Sequence, residues 1–363
     1  MSSTPTATAR PTPAGRPHTT WGFSVLFGVV GSLIVGLVVL AFVWPIATAS
    51  AKDLPIAITG PTAQVAAVEK AVDENASGAI DFQVVPDRDA VVAKIRNRSV
   101  YGAIVLGASP EVLTASAGSP VVTQLLTGVA AQLQVQLVQQ VAAAGGDPST
   151  VSVTVTDVVP LASTDKNGTG LIAASFPLVL GGLLGGILVS LLVVGVVRRL
   201  VALFVYAIAA GFVIALILQT LFGILQGDFL VNVAALSLAM LATASVVVGF
   251  NALIGPAGIA VGSVLTMLIG NPISGASLPL QFLVAPWGSI GQFFVPGAAS
   301  ALVRELSYFP DADNAWRWWV LAAWAAGGLV LSAAGHFRSQ APIALPAGEL
   351  ETSGRQAQAA ATA

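Results

Sequence analysis

From Leu171 to Ile269 the chain runs for ninety-nine residues with three charged side chains, Arg198, Arg199 and Asp228. A water-soluble domain of that size exposes dozens of side chains and needs charge to cover them, whereas a bilayer asks for about 20 apolar residues per helical crossing. The charges also fall where crossings end. The Arg pair divides one apolar run from the next, and Gly227-Asp228 divides that from a third. The expected fold class is an α-helical integral membrane protein of the plasma membrane.

Composition narrows the function classes. Charged residues are 9% and hydrophobic residues 55% of the chain, against about 25% charged in ordinary soluble proteins, which argues against a cytosolic enzyme. A net charge of −2 offers no basic surface for nucleic acid. With no Cys and two His, His18 and His336, the chain lacks thiolate and histidine-rich metal sites, and no cofactor is expected.

Residues 1–20 are rich in Pro, Thr and Ala without apolar periodicity and read as a disordered cytoplasmic tail. Residues 21–45 form an apolar run too long for the core of a cleaved signal peptide and read as an uncleaved anchor, transmembrane helix 1. Between Lys52 and Lys166 there are seven basic and eleven acidic residues, and this is the segment able to fold in water. Strands are expected at Pro55 to Thr59, Ile80 to Val85, Tyr101 to Leu106 and Glu111 to Thr114, with helices at Thr62 to Glu74 and Asp87 to Arg98. Short apolar runs alternating with helical periods predict a small α/β unit with a parallel sheet. Val122, Leu126, Val129, Leu133 and Leu137 then mark an amphipathic helix to about Ala144, and alternating Val151, Val153 and Val155 a last strand.

Five further spans are expected within residues 171–338: Leu171 to Val197, Leu200 to Gln226, Phe229 to Gly249, Ala252 to Ile269, and one led by Trp316, Trp318 and Trp319 that ends near His336 and Arg338. Arg198-Arg199 is read as the tight turn between the first two. Residues 271–313 carry Pro272, Pro279, Pro286, Pro296 and Pro310, which no continuous crossing tolerates, so a re-entrant or interfacial pair of short helices is expected, the second at Gly297 to Tyr308. Residues 339–363 read as a second disordered cytoplasmic tail. Six spans, one before the α/β domain and five after it, place six Arg and two acids on the side of both termini, so the termini are expected inside and residues 52–166 outside.

Motifs for chemistry are absent. The sequence has no G-x-x-x-x-G-K-[ST] phosphate loop, no G-x-S-x-G elbow and no H-E-x-x-H pair, and an enzyme is not expected. Asp228, Arg304, Glu305 and Arg317 fall at predicted interfaces and none at mid-span, where a coupled carrier would bury ionisable groups. Hydroxyls within the spans, such as Thr243, Ser245 and Thr266, are expected to bond to their own helices, and Gln219 to bond between helices. The glycines 181, 182, 185 and 186 read as a helix-packing device.

The strings GNPISG at Gly270 to Gly275 and PGAASALVRELSYF at Pro296 to Phe309, before a Trp-led last span, resemble the membrane subunits of type-2 ABC exporters. Within these, the chain is most similar to the phage-infection-protein-like branch of actinobacteria. The outer-domain strings PIAIT-GP and YGAIVL resemble that family too. The resemblance implies a permease half that forms a homodimer or heterodimer in the lipid bilayer and is driven by a separate ATP-binding subunit. On it, Arg198 and Arg199 are candidate contacts with the ATPase, although as topology signals they need no partner. Asn271, Pro272, Gly275, Pro296, Gly297 and Arg304 are candidates for an outer gate. A non-transporting envelope protein, whose outer domain serves as receptor or secretion accessory, is the other expectation.

Overall fold

The structure, a computed structural model, describes residues 20–335. The expected tails, with His18, His336 and Arg338, lie outside the described residues. The first described element is helix α1 (Trp21–Ala47), a run of apolar side chains that stays exposed along almost its whole length. Pro45 is its one buried residue, and Phe42 meets Phe176 edge to face at 6.3 Å.

The α/β unit comes next as β1 (Leu54–Thr59), α2 (Thr62–Ala76), β2 (Ile80–Val84), α3 (Arg88–Arg96), β3 (Gly102–Val105), β4 (Glu111–Thr114), α4 (Pro120–Ala143) and β5 (Thr154–Asp157). The five strands lie in the order β2-β1-β3-β4-β5. The sheet is mixed, which corrects the parallel expectation: β3 and β4 pair antiparallel, the other neighbours parallel. The reason is chain length. Residues 106–110 between β3 and β4 are too few for a crossover, which takes a dozen or more, so the pair closes as a hairpin. Strand alternation divides the core. Leu54, Ile56 and Val112 face Val122, Leu126 and Ala130 of α4, while Ala57, Ala103 and Leu113 face Val91 and Ile95 of α3. Asp87 caps α3 by accepting from the Ala90 N–H at 2.8 Å. Arg88 donates two hydrogen bonds to Glu111, at 2.6 and 3.0 Å, and ties that helix to β4.

The remaining helices are α5 (Thr169–Leu192), α6 (Val196–Ala215) with a π-helical extension over Leu216–Leu221, α7 (Phe229–Ile254), and α8 (Ala257–Ser263) with a π-helical extension over Val264–Gly270. After these come α9 (Trp287–Gly291), α10 (Val295–Tyr308) and α11 (Ala315–Gly335). Among the described residues six helices are long and apolar enough to cross a membrane: α1, α4, α5, extended α6, α7 and α11. The chain therefore has the make-up of a multi-pass membrane protein. Two expectations change. The span expected at Ala252 to Ile269 is instead the 14-residue helix Ala257–Gly270, about 21 Å at helical rise and short of the roughly 30 Å hydrocarbon core. Gly255 at φ +75°, with Pro256 after it, stops α7 only at Ile254, and this late stop shortens the next helix. Secondly, Arg198 and Arg199 are not the turn between spans. Residues 193–195 turn, with Gly195 at φ +96°, and both Arg lie in the first turn of α6.

Helix α7 is the axis of the bundle, buried along most of its length and touched by α5, α6, α8, α10 and α11. Small residues let it be surrounded so closely. Gly182 of α5 backs onto Thr243, Gly211 of α6 onto Ser237, and Gly328 of α11 onto Ser245. In lipid such close approach, and not the expulsion of water, drives helices together. The hydroxyls of Thr243, Ser245 and Thr266 bond back to carbonyls of their own helices, at 2.8 to 3.1 Å. Asn232 of α7 donates to Gln219 of the α6 extension at 2.9 Å.

Adjacent glycines of α11 make a matched test. A side chain at Gly328 would meet the Ser245 backbone, whereas one at Gly327 meets nothing within 4 Å. Gly328→Leu should cost at least about 1–3 kcal/mol, the usual range for overpacking, and lower the melting temperature in detergent; Gly327→Leu should leave it unchanged. Equal behaviour of the two would refute the α7–α11 seam.

The Arg88 pair makes a second test. Its hydrogen bonds hold the Glu111 carboxyl below its ordinary 4.5. A lowered carboxyl pKa contributes stability above the unfolded value and loses it as pH falls through the folded one. Arg88→Ala should flatten the acid limb of the melting temperature as pH falls through and below that ordinary value.

Candidate functional site

The α/β unit is joined to the helices by chemistry concentrated on α10. Its sequence places Arg304 and Glu305 side by side near the C-terminal end of an otherwise apolar 14-residue helix, and both are buried, at 8% and 3% exposure. Glu305 is held from two sides. Arg98, just beyond α3, donates to Oε1 at 2.8 Å, and Arg317 of α11 binds both carboxylate oxygens at 2.5 and 2.8 Å. Arg317 reaches further, donating to Gln292 Oε1 at 2.9 Å, and Gln292 in turn donates to the Ser274 carbonyl at 2.7 Å. One carboxylate thus connects α3, α10, α11 and the GNPISG loop.

Arg304 makes a second connection, to backbone only. It donates to the carbonyls of Ala117 and Gly118 in the α/β unit, at 3.0 and 3.4 Å, and to that of Ala276 at 3.3 Å. Further bonds draw the same surfaces together. Lys52 N–H donates to the Gln281 carbonyl at 3.0 Å and Thr164 to the Gly223 carbonyl at 2.8 Å, while Tyr308 of α10 fixes the same loop by donating to the Ile224 carbonyl at 2.5 Å. Under them the α3 face of the sheet shares one apolar core with Leu225, Leu236, Tyr308 and Phe309.

Arg98 stands at φ +61°, at the position after a helix end where the left-handed region favours Gly. A bulky residue there carries of order 1–3 kcal/mol of strain, which persists only where the surroundings hold it. Here the ion pair to Glu305 holds it, and its guanidinium also lies 5.7 Å from the centre of the Phe309 ring.

These groups line a cavity of about 170 Å³ between the α/β unit and the helices. Arg98, Arg304 and Arg317 face it with Glu305, giving three guanidinium groups against one carboxylate. Tyr101 also faces it. Desolvation raises that phenol above its ordinary range, outweighing the opposing pull of Arg98, Arg304 and Arg317, so it supplies no negative charge at neutral pH. Among the described residues no group of His, Asp and Glu has the make-up of a metal site.

The residues expected to act together are only partly brought together. Arg304 and Gly275 line the cavity; Asn271 and Pro272 line a neighbouring groove; Pro296 and Gly297 begin α10, where Gly297 packs on the Gly291 carbonyl. Arg198 is exposed, while Arg199 donates to the carbonyls of Val193 and Ser190, at 2.7 and 3.3 Å, and closes the open end of α5. Both stand in the first turn of α6, and neither lines the cavity. Sequence reasoning missed the pairing of Arg98 with Glu305, which spans 207 positions, and the bridging role of Gln292. A non-Gly residue at a helix C-terminus where Gly is usual was the one local signal. No family model, no curated protein and no solved structure matches the chain, so the site is interpreted from its own geometry.

Removing one partner of a buried ion pair costs about 3–5 kcal/mol, because the other charge is left unpaired. Glu305→Gln should therefore destabilise the detergent-purified protein by that order and expose the α/β unit to protease. Arg98→Gly should be destabilised less than Arg98→Ala, since it alone relieves the left-handed backbone. Equal melting of these two variants would show that Arg98 is not strained.

Proposed function

We propose that the chain is the permease subunit of a type-2 ABC exporter in the plasma membrane, working as a homodimer or heterodimer with ATP hydrolysed by a separate subunit. In this reading both termini are cytoplasmic, residues 52–166 are extracytoplasmic with α4 packed on their sheet, one span precedes the α/β unit, and the short helix Ala257–Gly270 carries the chain back across a locally thinned bilayer as the fifth of six crossings. The supporting observation is the joint on α10. Glu305 clasps Arg98 of the α/β unit and Arg317 of α11, so displacement of α11 relative to α10 is transmitted to the unit above. The broken stretch 271–294 lies beneath the same joint and is stitched to it through Ser274 and Ala276. Such backbone is tolerated near a membrane where protein buries it or water lines it. In the exporter it acts as the outer gate, with Asn271, Pro272 and Gly275 in the moving loop and Arg304 as its latch. Pro296 and Gly297 form the hinge into α10.

A second reading, a receptor or secretion accessory that does not transport, is favoured by Arg199. Its guanidinium is spent on closing α5, and the turn beside it is three residues long, which leaves Arg198 alone to meet an ATPase.

Sidedness and partner are tested together. The chain has no native Cys, so Ala76→Cys and Val194→Cys can each be treated with an impermeant thiol reagent on intact cells. Labelling is expected at Ala76→Cys only, with Val194→Cys labelled after permeabilisation; the opposite pattern would invert the layout. Purification in mild detergent should retain an ATP-binding protein, and Arg198→Glu should release it. Retention of none would favour the receptor reading.

A further inference from the structure

We infer that the cavity at the α10 joint and the groove beside it form a binding site for an anionic membrane lipid. Its phosphate or carboxylate lies among Arg98, Arg304 and Arg317, and an acyl chain lies along Phe42, Ile46 and Phe176. Charge is the first argument. The cavity wall carries three guanidinium groups and one carboxylate, and a buried cation without a counter-ion is costly unless an anion reaches it. Glu305 is already occupied by Arg98 and Arg317, and Arg304 meets only carbonyls. The further acid on this side, Asp165, accepts the N–H groups of Gly170 and Leu171, both at 3.0 Å, at the start of α5; it attracts Arg304 through space but forms no ion pair with any of the three.

Donors remain for an incoming anion. Among the described residues Arg98 spends one N–H on Glu305, and Arg304 leaves its Nε unused. The side-chain oxygen of Gln281 on the same wall is buried with no partner, which suits a headgroup hydroxyl. The space, about 170 Å³, is several times the roughly 30 Å³ of a liquid water.

The second argument concerns the source of the anion. The strip Ser274–Leu278 is a wall shared with a groove of about 180 Å³, whose other sides are Phe42, Pro45 and Ile46 of α1 and Ile172 and Phe176 of α5. The groove is apolar and α1 is otherwise bare, so it continues onto a surface made for acyl chains. A polar, net-cationic compartment beside an apolar one fits a single amphiphile whose head and tail differ in the same way. A free anion would use the first compartment and leave the second unexplained. The inference depends on the membrane placement of the chain and is independent of any ATPase.

The full chain is purified, reconstituted in vesicles of equal parts phosphatidylglycerol and phosphatidylcholine, extracted in mild detergent and weighed by native mass spectrometry. Phosphatidylglycerol should be retained about tenfold over phosphatidylcholine, a difference of roughly one hydrogen-bonded charge contact. Arg304→Gln should abolish that preference. Because Arg304 also ties the α/β unit down, Ser277→Glu is the deciding variant: it adds an acid to the exposed side chain of the shared wall, removes no contact, and should abolish the preference in a folded protein. Equal retention of both lipids by the unaltered chain would overturn the inference, as would full retention of the anionic lipid by Ser277→Glu. Thermal stabilisation by inorganic phosphate equal to that by phosphatidylglycerol would overturn it too, identifying a soluble anion as occupant.

Discussion

A single carboxylate, Glu305, buried between two guanidinium groups at the junction of the α/β unit and the helices is the constraint on which the arrangement of this molecule depends. The α/β unit and the helices share an apolar core, but apolar contact is non-directional and does not by itself fix how one sits on the other. Burying Glu305 on α10 changes that, because the charge must be matched by groups from both sides. Arg98 comes from the unit and Arg317 from the helices, so the only geometry that satisfies the carboxylate is the docked one. Separating the two parts would leave a buried charge unpaired on one side, and that cost disfavours other orientations.

The helices obey a different rule. With lipid outside and apolar side chains inside, little hydrophobic gain distinguishes one arrangement of spans from another, and close packing decides. Helix α7 supplies a surface of Ala, Ser, Thr and Gly, onto which glycines from its neighbours press. The outcome is a tightly filled interior whose polar space lies at the junction with the α/β unit.

Much of this was legible in the residues. The starts of α2 and α7, the strand Glu111 to Thr114 and the end of α4 come from apolar periodicity and turn residues, because those signals act within a few residues of each other. Gln219 was legible as an interhelical donor or acceptor, and its bond to Asn232 answers that expectation. The direction of β4 and the length of the helix after Gly255 were not. The first depends on how few residues the β3–β4 connection has relative to a crossover. The second depends on α7 running on past Gly249 because α11 and α8 pack against its last turns. Arg199 resembled a topology mark and proved also to be a helix cap, since the end of α5 presents carbonyls that only a neighbouring donor can reach.

What the chain determined by itself is the solvent of each part. Ninety-nine residues with three charges require oil, and a charged stretch of alternating strands and helices requires water, because transfer free energy is a property of composition and needs no partner. What the tertiary structure alone decided is the meeting of Arg98, Glu305 and Arg317. Electrostatic matching acts on distance in space, and residues 207 positions apart carry no local sign of being neighbours until the fold has brought them to 2.8 Å.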